Sequence, residues 1–470
     1  MVKQSRHDLD PLLDPKSIAI FGSFKKAIFG GYPAVRQLQS FGFSGRIYAV
    51  NPHYDEVLGI KVYPSVMEIP EAVDLAVIMT AAPTVPKIMG ECAKKGIKAA
   101  IVVSDGFAER NKEGAKLQRE LIDIAKGAGM RIIGPNTAGL VNIIDGFALG
   151  AYECGYEKIK KGTISFVTQT GIIALQAVPW CDFPYGISKL IDLGNKSDVD
   201  ESDLLEYLGN DLETKVISLY LEGIRDGQRF LKIAKEITQK KPVLVLKSGR
   251  TKEAAKAITS HTGALAGEDQ VFNSACQQAN IIRVSKWNEL LDFAKILAYQ
   301  PLPKGNRLGI LTYTGATAIM LIDAASEWGL TMAKLSSESS ERLRRLFPPA
   351  WGTNPIDCGI PVAYMPDKWF HFYQQALEVL LSDDNVDCIA NVIWVDPFGS
   401  LLEDYARLAV ELKRNLSKPI VTWIYSPNSS YIKELSHRLE SLGFPVYYDH
   451  ETAAKALSVM FKYSTIKGVA

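Results

Sequence analysis

The stretch SIAIFGSFKKAIFGG, residues 17–31, is a short apolar run that leads directly into a turn rich in glycine and lysine. Runs of about five apolar residues, separated by helix-sized segments, predict parallel strands with helices packed on both faces of the sheet. The pattern continues through the first part of the chain, and the predicted strands there are 17–21, 46–50, 75–79, 99–103 and 131–134. This pattern predicts an α/β fold with a doubly wound parallel sheet.

The alternation of strands and helices starts again twice. A second unit begins near Gly162, with strands predicted at 163–167, 188–193, 216–221 and 242–246. Residues 298–306, which contain two prolines and a glycine, predict a linker to a third unit with strands at 307–311, 331–334, 388–395, 419–423 and 445–448. We therefore expect three consecutive doubly wound domains, at residues 1–145, 146–300 and 301–470.

Composition excludes several classes of protein. The chain has 470 residues, of which 47% are hydrophobic and 22% charged, and a net charge of +1 gives no long-range attraction to nucleic acid or acidic membranes. No apolar run approaches the roughly 20 residues that a membrane span needs, and residues 1–15 do not resemble a signal peptide. Six cysteines without metal-ligand spacing predict reduced thiols, no metal site and a cytoplasmic protein.

The predicted strands of the first unit end in polar or turn residues that mark a ligand-binding edge. Ligands of doubly wound sheets bind beyond the carboxyl ends of the strands. Lysines in the first turn can pair with phosphates, although the alternative is that they are simply solvated. No acidic residue follows the second strand, which argues against a nicotinamide dinucleotide and an oxidoreductase. The edge residues are Gly22, Ser23, Lys25, Lys26, Asn51, Pro52, Pro83 and Ser104.

Two similar turns open the second and third units. The first strand of the second unit ends in Thr168, Gln169, Thr170 and Gly171, and that of the third ends in a turn containing Thr314, Gly315 and Ala316. Hydroxyls and a glycine at a helix start predict an anion site, although ordinary N-capping by threonine explains the same residues.

A single histidine lies in the glycine-rich stretch TSHTGALAG, residues 259–267. Neutral imidazole is a nucleophile near pH 7, and small neighbours suit a phosphoryl group on the ring of His261. The alternative is a glycine-rich connector with an incidental histidine. Glu222, at the end of a predicted strand, is a candidate to hold the other ring nitrogen. Its alternative partner is Arg225.

Several longer motifs together identify a resemblance. They are GPNTAG at 134–139, LGNKSDVDESDLLEYL at 193–208, YLEGIRDG at 220–227 and SHTGALAG at 260–267. The chain resembles the alpha subunit of ADP-forming acyl-CoA synthetases, which are related to succinyl-CoA synthetase. The resemblance implies a Rossmann-like CoA-binding domain followed by two flavodoxin-like ligase domains.

The resemblance also implies a reaction, the interconversion of acyl-CoA, ADP and phosphate with a carboxylic acid, CoA and ATP. His261 would carry the phosphoryl group and Glu222 would steady it. The two threonine turns, Thr168 to Gly171 and Thr314 to Ala316, would bind phosphate, and the edge residues of the first unit would bind CoA. The nucleotide and Mg²⁺ would bind an ATP-grasp beta subunit, in an alpha2beta2 assembly.

Three positions depart from the family's usual residues. The second unit has TQTG where SQSG is usual, the third has YTGATA in place of NAGGPG, and Thr137 stands where relatives often have cysteine. The changed third turn raises the alternative of a CoA-binding regulatory protein that has lost catalysis. Conservation of both His261 and Glu222 within their motifs favours the ligase.

Overall fold

The computed structural model describes residues 7–150, 158–171, 178–254, 256, 268–346, 352–359 and 368–470. The chain divides into two compact units, Met1–Leu290 and Leu291–Ala470. The first unit contains two sheets and the second contains one, and helices connect the parallel strands of each sheet. No helix within the described ranges has the length and apolar character needed to span a membrane.

The first sheet has the strand order of a dinucleotide-binding fold. Its strands are β1 Ser17–Gly22, β2 Arg46–Val50, β3 Glu56–Val57, β4 Ile60–Tyr63, β5 Leu75–Met79, β6 Ala99–Val102 and β7 Arg131–Ile133. They lie in the order β3-β4-β2-β1-β5-β6-β7, all parallel except the β3–β4 pair. Since β2 and β5 flank β1, the chain reverses direction across the sheet at β1, which is where such folds bind ligands.

Four helices accompany this sheet, α1 Asp10–Leu13, α2 Gly31–Ser40, α3 Val85–Lys95 and α4 Lys112–Ala128. All six residues of β1 are buried, as expected for a parallel strand covered on both faces. The Asn111 side chain caps α4 by accepting a hydrogen bond from the Gly114 amide, and Gly129 ends the helix with a positive φ.

The second sheet has a flavodoxin-like order with an antiparallel extension. Its strands are β8 Gly139–Asn142, β9 Phe147–Gly150, β10 Lys161–Thr168, β11 Ile187–Asp192, β12 Val216–Leu221, β13 Val243–Lys247 and β14 Ile282–Arg283. They lie in the order β14-β13-β12-β10-β11-β8-β9, with β8 antiparallel to both of its neighbours. Helices in this part of the chain are α5 Glu201–Asn210, α6 Gly227–Lys240, α7 Asp269–Gln278 and α8 Trp287–Tyr299.

The two sheets of the first unit share one continuous core. Leu38 of α2 belongs to the same apolar cluster as Phe147 and Leu149 of β9. The buried Asn142 side chain of β8 donates a hydrogen bond of 2.8 Å to the Leu13 carbonyl. Arg131, at the start of β7, forms ion pairs with Asp198 and Asp203. These contacts join the two sheets of the first unit.

The second unit is also flavodoxin-like. Its strands are β15 Arg307–Thr312, β16 Thr331–Met332, β17 Ile356–Asp357, β18 Cys388–Trp394, β19 Ile420–Tyr425 and β20 Val446–Tyr447. They lie in the order β16-β15-β18-β19-β20, and β17 also pairs with β15. Its helices are α9 Gly315–Glu327, α10 Ser337–Leu346, α11 Trp369–Ser382, α12 Leu402–Lys413, α13 Ser429–Ser441 and α14 His450–Ile466.

The predicted α/β class with three parallel sheets is confirmed. Most predicted strands agree with the observed ones to within two residues, and the differences concern short elements. Residues 356–357, expected in a loop, form β17, while 298–299 of the predicted linker belong to α8. The hairpin of β8 and β9 extends the second sheet, so the domain boundary predicted at 145/146 falls between two strands of that sheet. The division into three domains remains a prediction.

Candidate functional site

The carboxyl edge of the first sheet brings together the residues predicted there. Asn51, after β2, donates a side-chain hydrogen bond of 2.7 Å to the Gly22 carbonyl at the end of β1. On the other side of β1, the Thr80 amide donates to the Ser104 hydroxyl at 3.2 Å. The ends of four neighbouring strands therefore form one edge, with Ser104 buried in its floor.

The rim of this edge is open to solvent. Lys25 and Lys26 are exposed in the loop between β1 and α2, and Pro52 and Pro83 are exposed after β2 and β5. The backbone below the loop is tightly packed, because a Cβ added at Gly22 would lie 3.3 Å from the Met79 carbonyl. Exposed ammonium groups above a closely approaching backbone suit a phosphate-bearing ligand.

The carboxyl edge of the second sheet contains the first threonine turn. Thr168 ends β10, and its buried hydroxyl donates a hydrogen bond of 3.1 Å to the Thr170 carbonyl. Gly171 is the first helical residue after the turn. The side-chain oxygen of Gln169 accepts a hydrogen bond of 2.9 Å from the Glu222 amide, which follows β12. The turn and Glu222 are therefore direct neighbours.

Asp192 is a buried carboxylate at the same edge. It ends β11, is 2% exposed, and accepts hydrogen bonds from the amides of Ala138 at 2.6 Å and Gly194 at 3.3 Å. Burial raises the pKa of Asp192 to about 6, opposed by these amides and assisted by the charge of Glu222. Through Ala138, Asp192 thus connects the segment just before β8 to the sheet edge at which Glu222 lies.

Arg225 contacts main-chain groups near Glu222. Its guanidinium donates to the carbonyls of Lys196 and Asp198, at 3.2 and 2.8 Å. Arg225 therefore joins the loop after β12 to the loop before α5. An ion pair with Glu222 would not make this connection.

The second unit repeats the threonine turn. Thr312 ends β15, and its hydroxyl donates to the Thr314 carbonyl at 3.1 Å, the distance found for Thr168 and Thr170. Thr314 caps α9 by accepting a hydrogen bond from the Thr317 amide, and Gly315 and Ala316 are exposed in the first turn of the helix. The second turn thus begins a helix at the carboxyl edge of a parallel sheet, where helix N-termini favour anions.

Some predictions fall on residues that cannot be placed. His261 and its neighbours at 257–267 lie outside the described residues, as does most of the helix predicted at 172–178. Within the described ranges, no group of three or more His, Cys, Asp or Glu side chains is arranged to bind a metal ion.

Sequence reasoning missed several residues at the carboxyl edges of the first two sheets. The Tyr54 hydroxyl lies 3.2 Å from that of Ser23, and Asp192 supports the residues before β8. Lys196 and Glu201 form a buried ion pair beside Glu222. The available signal for Asp192 was a carboxylate at the end of a strand next to the TQTG strand. The contact between Lys196 and Gly223 joins residues that are 27 apart in sequence.

Comparison with known proteins agrees with this architecture. Residues 16–142 match a CoA-binding domain family, and residues 161–297 match a succinyl-CoA ligase-like flavodoxin domain. The chain is 35% identical to acetate–CoA ligase (ADP-forming) I subunit alpha of Pyrococcus furiosus, over 98% of each chain. It belongs to the family of ADP-forming acetate–CoA ligases.

Two further relatives support membership of this ligase family. The chain is 38% identical to acetate–CoA ligase (ADP-forming) II of Archaeoglobus fulgidus over 97% of its own length, but spans only 67% of that relative. A dinucleotide-forming acetyl-coenzyme A synthetase 1 of Ca. Korarchaeum cryptofilum, solved with phosphate and ADP, superposes with a TM-score of 0.88 at 30% identity, covering 98% of each chain.

Proposed function

We propose that this chain is the alpha subunit of an ADP-forming acyl-CoA synthetase in which His261 carries the phosphoryl group and Glu222 steadies it. The observation that carries the proposal is the hydrogen bond between Gln169 and the Glu222 amide, which joins a helix-opening threonine turn to a carboxylate. An anion-binding turn beside a carboxylate that can accept an imidazole N–H suits a phosphohistidine.

The chemistry follows in three steps. Phosphate attacks the thioester carbon of acyl-CoA, which breaks the carbon–sulfur bond and gives acyl phosphate and free CoA. The imidazole of His261 takes the phosphoryl group, which releases the carboxylic acid. Phosphohistidine then passes the group to ADP. A covalent carrier is needed because acyl-CoA and ADP bind at different places, and His261 retains the transfer potential between them.

We assign the remaining groups by the same reasoning. CoA binds the first sheet through Gly22, Ser23, Lys25, Lys26, Asn51, Pro52, Pro83 and Ser104. Phosphate binds the turns at Thr168 to Gly171 and Thr314 to Ala316, where helix N-termini stabilise its charge. The nucleotide and Mg²⁺ belong to an ATP-grasp beta subunit, in an alpha2beta2 assembly. A Pyrococcus furiosus relative named as a subunit alpha supports a divided enzyme. Buried free thiols at Cys92, Cys358 and Cys388 suit the cytoplasm.

Phosphoenzyme formation tests the proposal directly. The chain is mixed with its beta subunit, acetyl-CoA and ³²P-labelled phosphate, then denatured. We expect label on the alpha chain that is lost in acid and survives in base, as phosphohistidine does. The His261→Asn variant should bind CoA normally and take up no label.

Two outcomes would contradict the ligase. Normal turnover by His261→Asn would exclude this histidine as the carrier. CoA binding by the wild-type chain without label, under any combination of acyl-CoA, phosphate and nucleotide, would favour the CoA-binding regulatory protein.

A further inference from the structure

We propose that the buried ion pair of Lys196 and Glu201 positions Glu222, an inference that rests on the proposed function of Glu222. The Lys196 ammonium lies 2.8 Å from the Glu201 carboxylate, and these residues are 8% and 0% exposed. Taking both charges out of water is unfavourable unless their remaining hydrogen-bonding groups find partners. Here those partners belong to the loop that follows β12.

The ion pair holds this loop on the C-terminal side of Glu222. Lys196 Nζ donates a hydrogen bond of 2.7 Å to the carbonyl of Gly223, the next residue. The other Glu201 oxygen accepts a hydrogen bond of 2.7 Å from the Arg225 amide. The two charged groups thus bind the Gly223 carbonyl and the Arg225 amide, and charge-assisted hydrogen bonds of this kind are stronger than neutral ones.

Glu222 is held on its other side as well. Its own amide donates to Gln169, which lies within the first threonine turn. Because hydrogen bonds fix the Glu222 amide and the carbonyl of the next residue, they restrict the direction in which the Glu222 side chain leaves the backbone. A carboxylate that orients an imidazole must be held in a fixed position, since a displacement of 1 Å can cost about 100-fold in rate.

The ion pair is itself firmly anchored. Lys196 has a φ of +53°, a left-handed conformation that a non-glycine residue keeps only when its surroundings impose it. The residues on either side provide that constraint. The Asn195 side chain donates to Glu109 and Gln118 at 2.5 and 3.0 Å, and the Ser197 amide donates to the Gly134 carbonyl at 3.1 Å. These contacts therefore fix the backbone position from which the Lys196 side chain extends to the Gly223 carbonyl.

A neutral variant tests the proposal in the assembled enzyme. We expect Lys196→Gln to slow phosphoenzyme formation by about 10- to 100-fold, with unchanged affinity for CoA. The matched control is Lys189→Gln, which breaks another buried pair, Lys189 with Asp211, and should leave the rate unchanged, because the Lys189 ammonium bonds Ser188 and Asp211 rather than the loop after β12. If Lys196→Gln fails to fold, the Lys196→Met, Glu201→Leu double variant replaces the pair with apolar side chains.

Combination with Glu222→Gln separates a positioning role from general support of the fold. If Lys196 acts through Glu222, adding Lys196→Gln to Glu222→Gln should lower the rate little further. Multiplicative losses, or an equal loss in Lys189→Gln, would overturn the proposal.

Amide hydrogen exchange gives a second readout that requires no activity. The amides of residues 223–225 should exchange faster in Lys196→Gln and at the wild-type rate in Lys189→Gln. Unchanged exchange would overturn the proposed anchoring. A wild-type enzyme that forms no phosphohistidine would instead refute the proposed function, while the exchange measurement would still report on the anchor.

Discussion

Asp192 shows how one buried residue ties stability to pH. A free aspartate has a pKa of about 3.9, and burial raises that of Asp192 to about 6. The folded protein therefore holds this proton more tightly than the unfolded chain does. The resulting stabilisation is complete below about pH 4 and is lost as the pH rises to about 6, a change of about 3 kcal/mol.

We therefore expect Asp192→Asn to remove one component of the pH dependence of unfolding. Asparagine keeps the size of the side chain but does not titrate. The free energy of unfolding of the wild type, minus that of the variant, should fall by about 2 kcal/mol between pH 4 and pH 6, since the rest of the change lies outside this range. Chemical denaturation at a series of pH values measures it.

A surface aspartate supplies the control for this measurement. Asp123→Asn removes the same charge from an exposed position on α4, and its difference from the wild type should vary little over this range. A difference for Asp192→Asn that is equally flat would show that burial does not govern the titration of this carboxylate.

The threonine turn is an element that the chain uses twice with the same internal geometry. In each copy the hydroxyl of the strand's last residue is buried and bound to a carbonyl two residues on. We expect Thr168→Val, nearly isosteric, to destabilise the first unit by about 1–3 kcal/mol, because it leaves the Thr170 carbonyl without this partner. Thr312→Val should cost more, since Thr312 also bonds the Thr317 hydroxyl.

Serine variants are the matched controls for these turns, because they retain the hydroxyl and lose only a methyl group. Urea unfolding of Thr168→Ser and Thr312→Ser should give smaller losses than the valine variants. Equal losses for serine and valine would mean that the threonine methyl, rather than its hydroxyl, holds the turn.

Strands could be predicted from sequence where burial alone determines them. β2, β5 and β12 were predicted with their observed bounds, because each is a mainly apolar run between turn residues. β14 and β17 have two residues each and pair at sheet edges, so their order depends on hydrogen bonds from a neighbouring strand. Such short strands have no periodicity of their own to detect.

The candidate site was predictable to a similar degree. The first threonine turn and Glu222 directly follow β10 and β12, which pair in parallel, so the edge that they share follows from a parallel sheet. The supporting residues depend on distant partners, since Asp192 binds Ala138 and Lys196 binds Gly223. No local pattern encodes those contacts, and His261 remains a prediction from its motif.

At the scale of the whole molecule, the chain matches nearly all of one relative named as an alpha subunit but about two thirds of a longer one. If the nucleotide site belongs to a beta subunit, the reaction steps that precede phosphoryl transfer to ADP should need only this chain. We therefore expect the isolated chain to accept label from acetyl ³²P-phosphate but not from γ-³²P-labelled ATP, because the proposed carrier histidine and the proposed phosphate turns lie on this chain. Adding the beta subunit should restore labelling from ATP, and His261→Asn should take no label from either donor. Labelling of the isolated wild-type chain by ATP would place a nucleotide site on this polypeptide and refute the proposal that the nucleotide binds only the beta subunit.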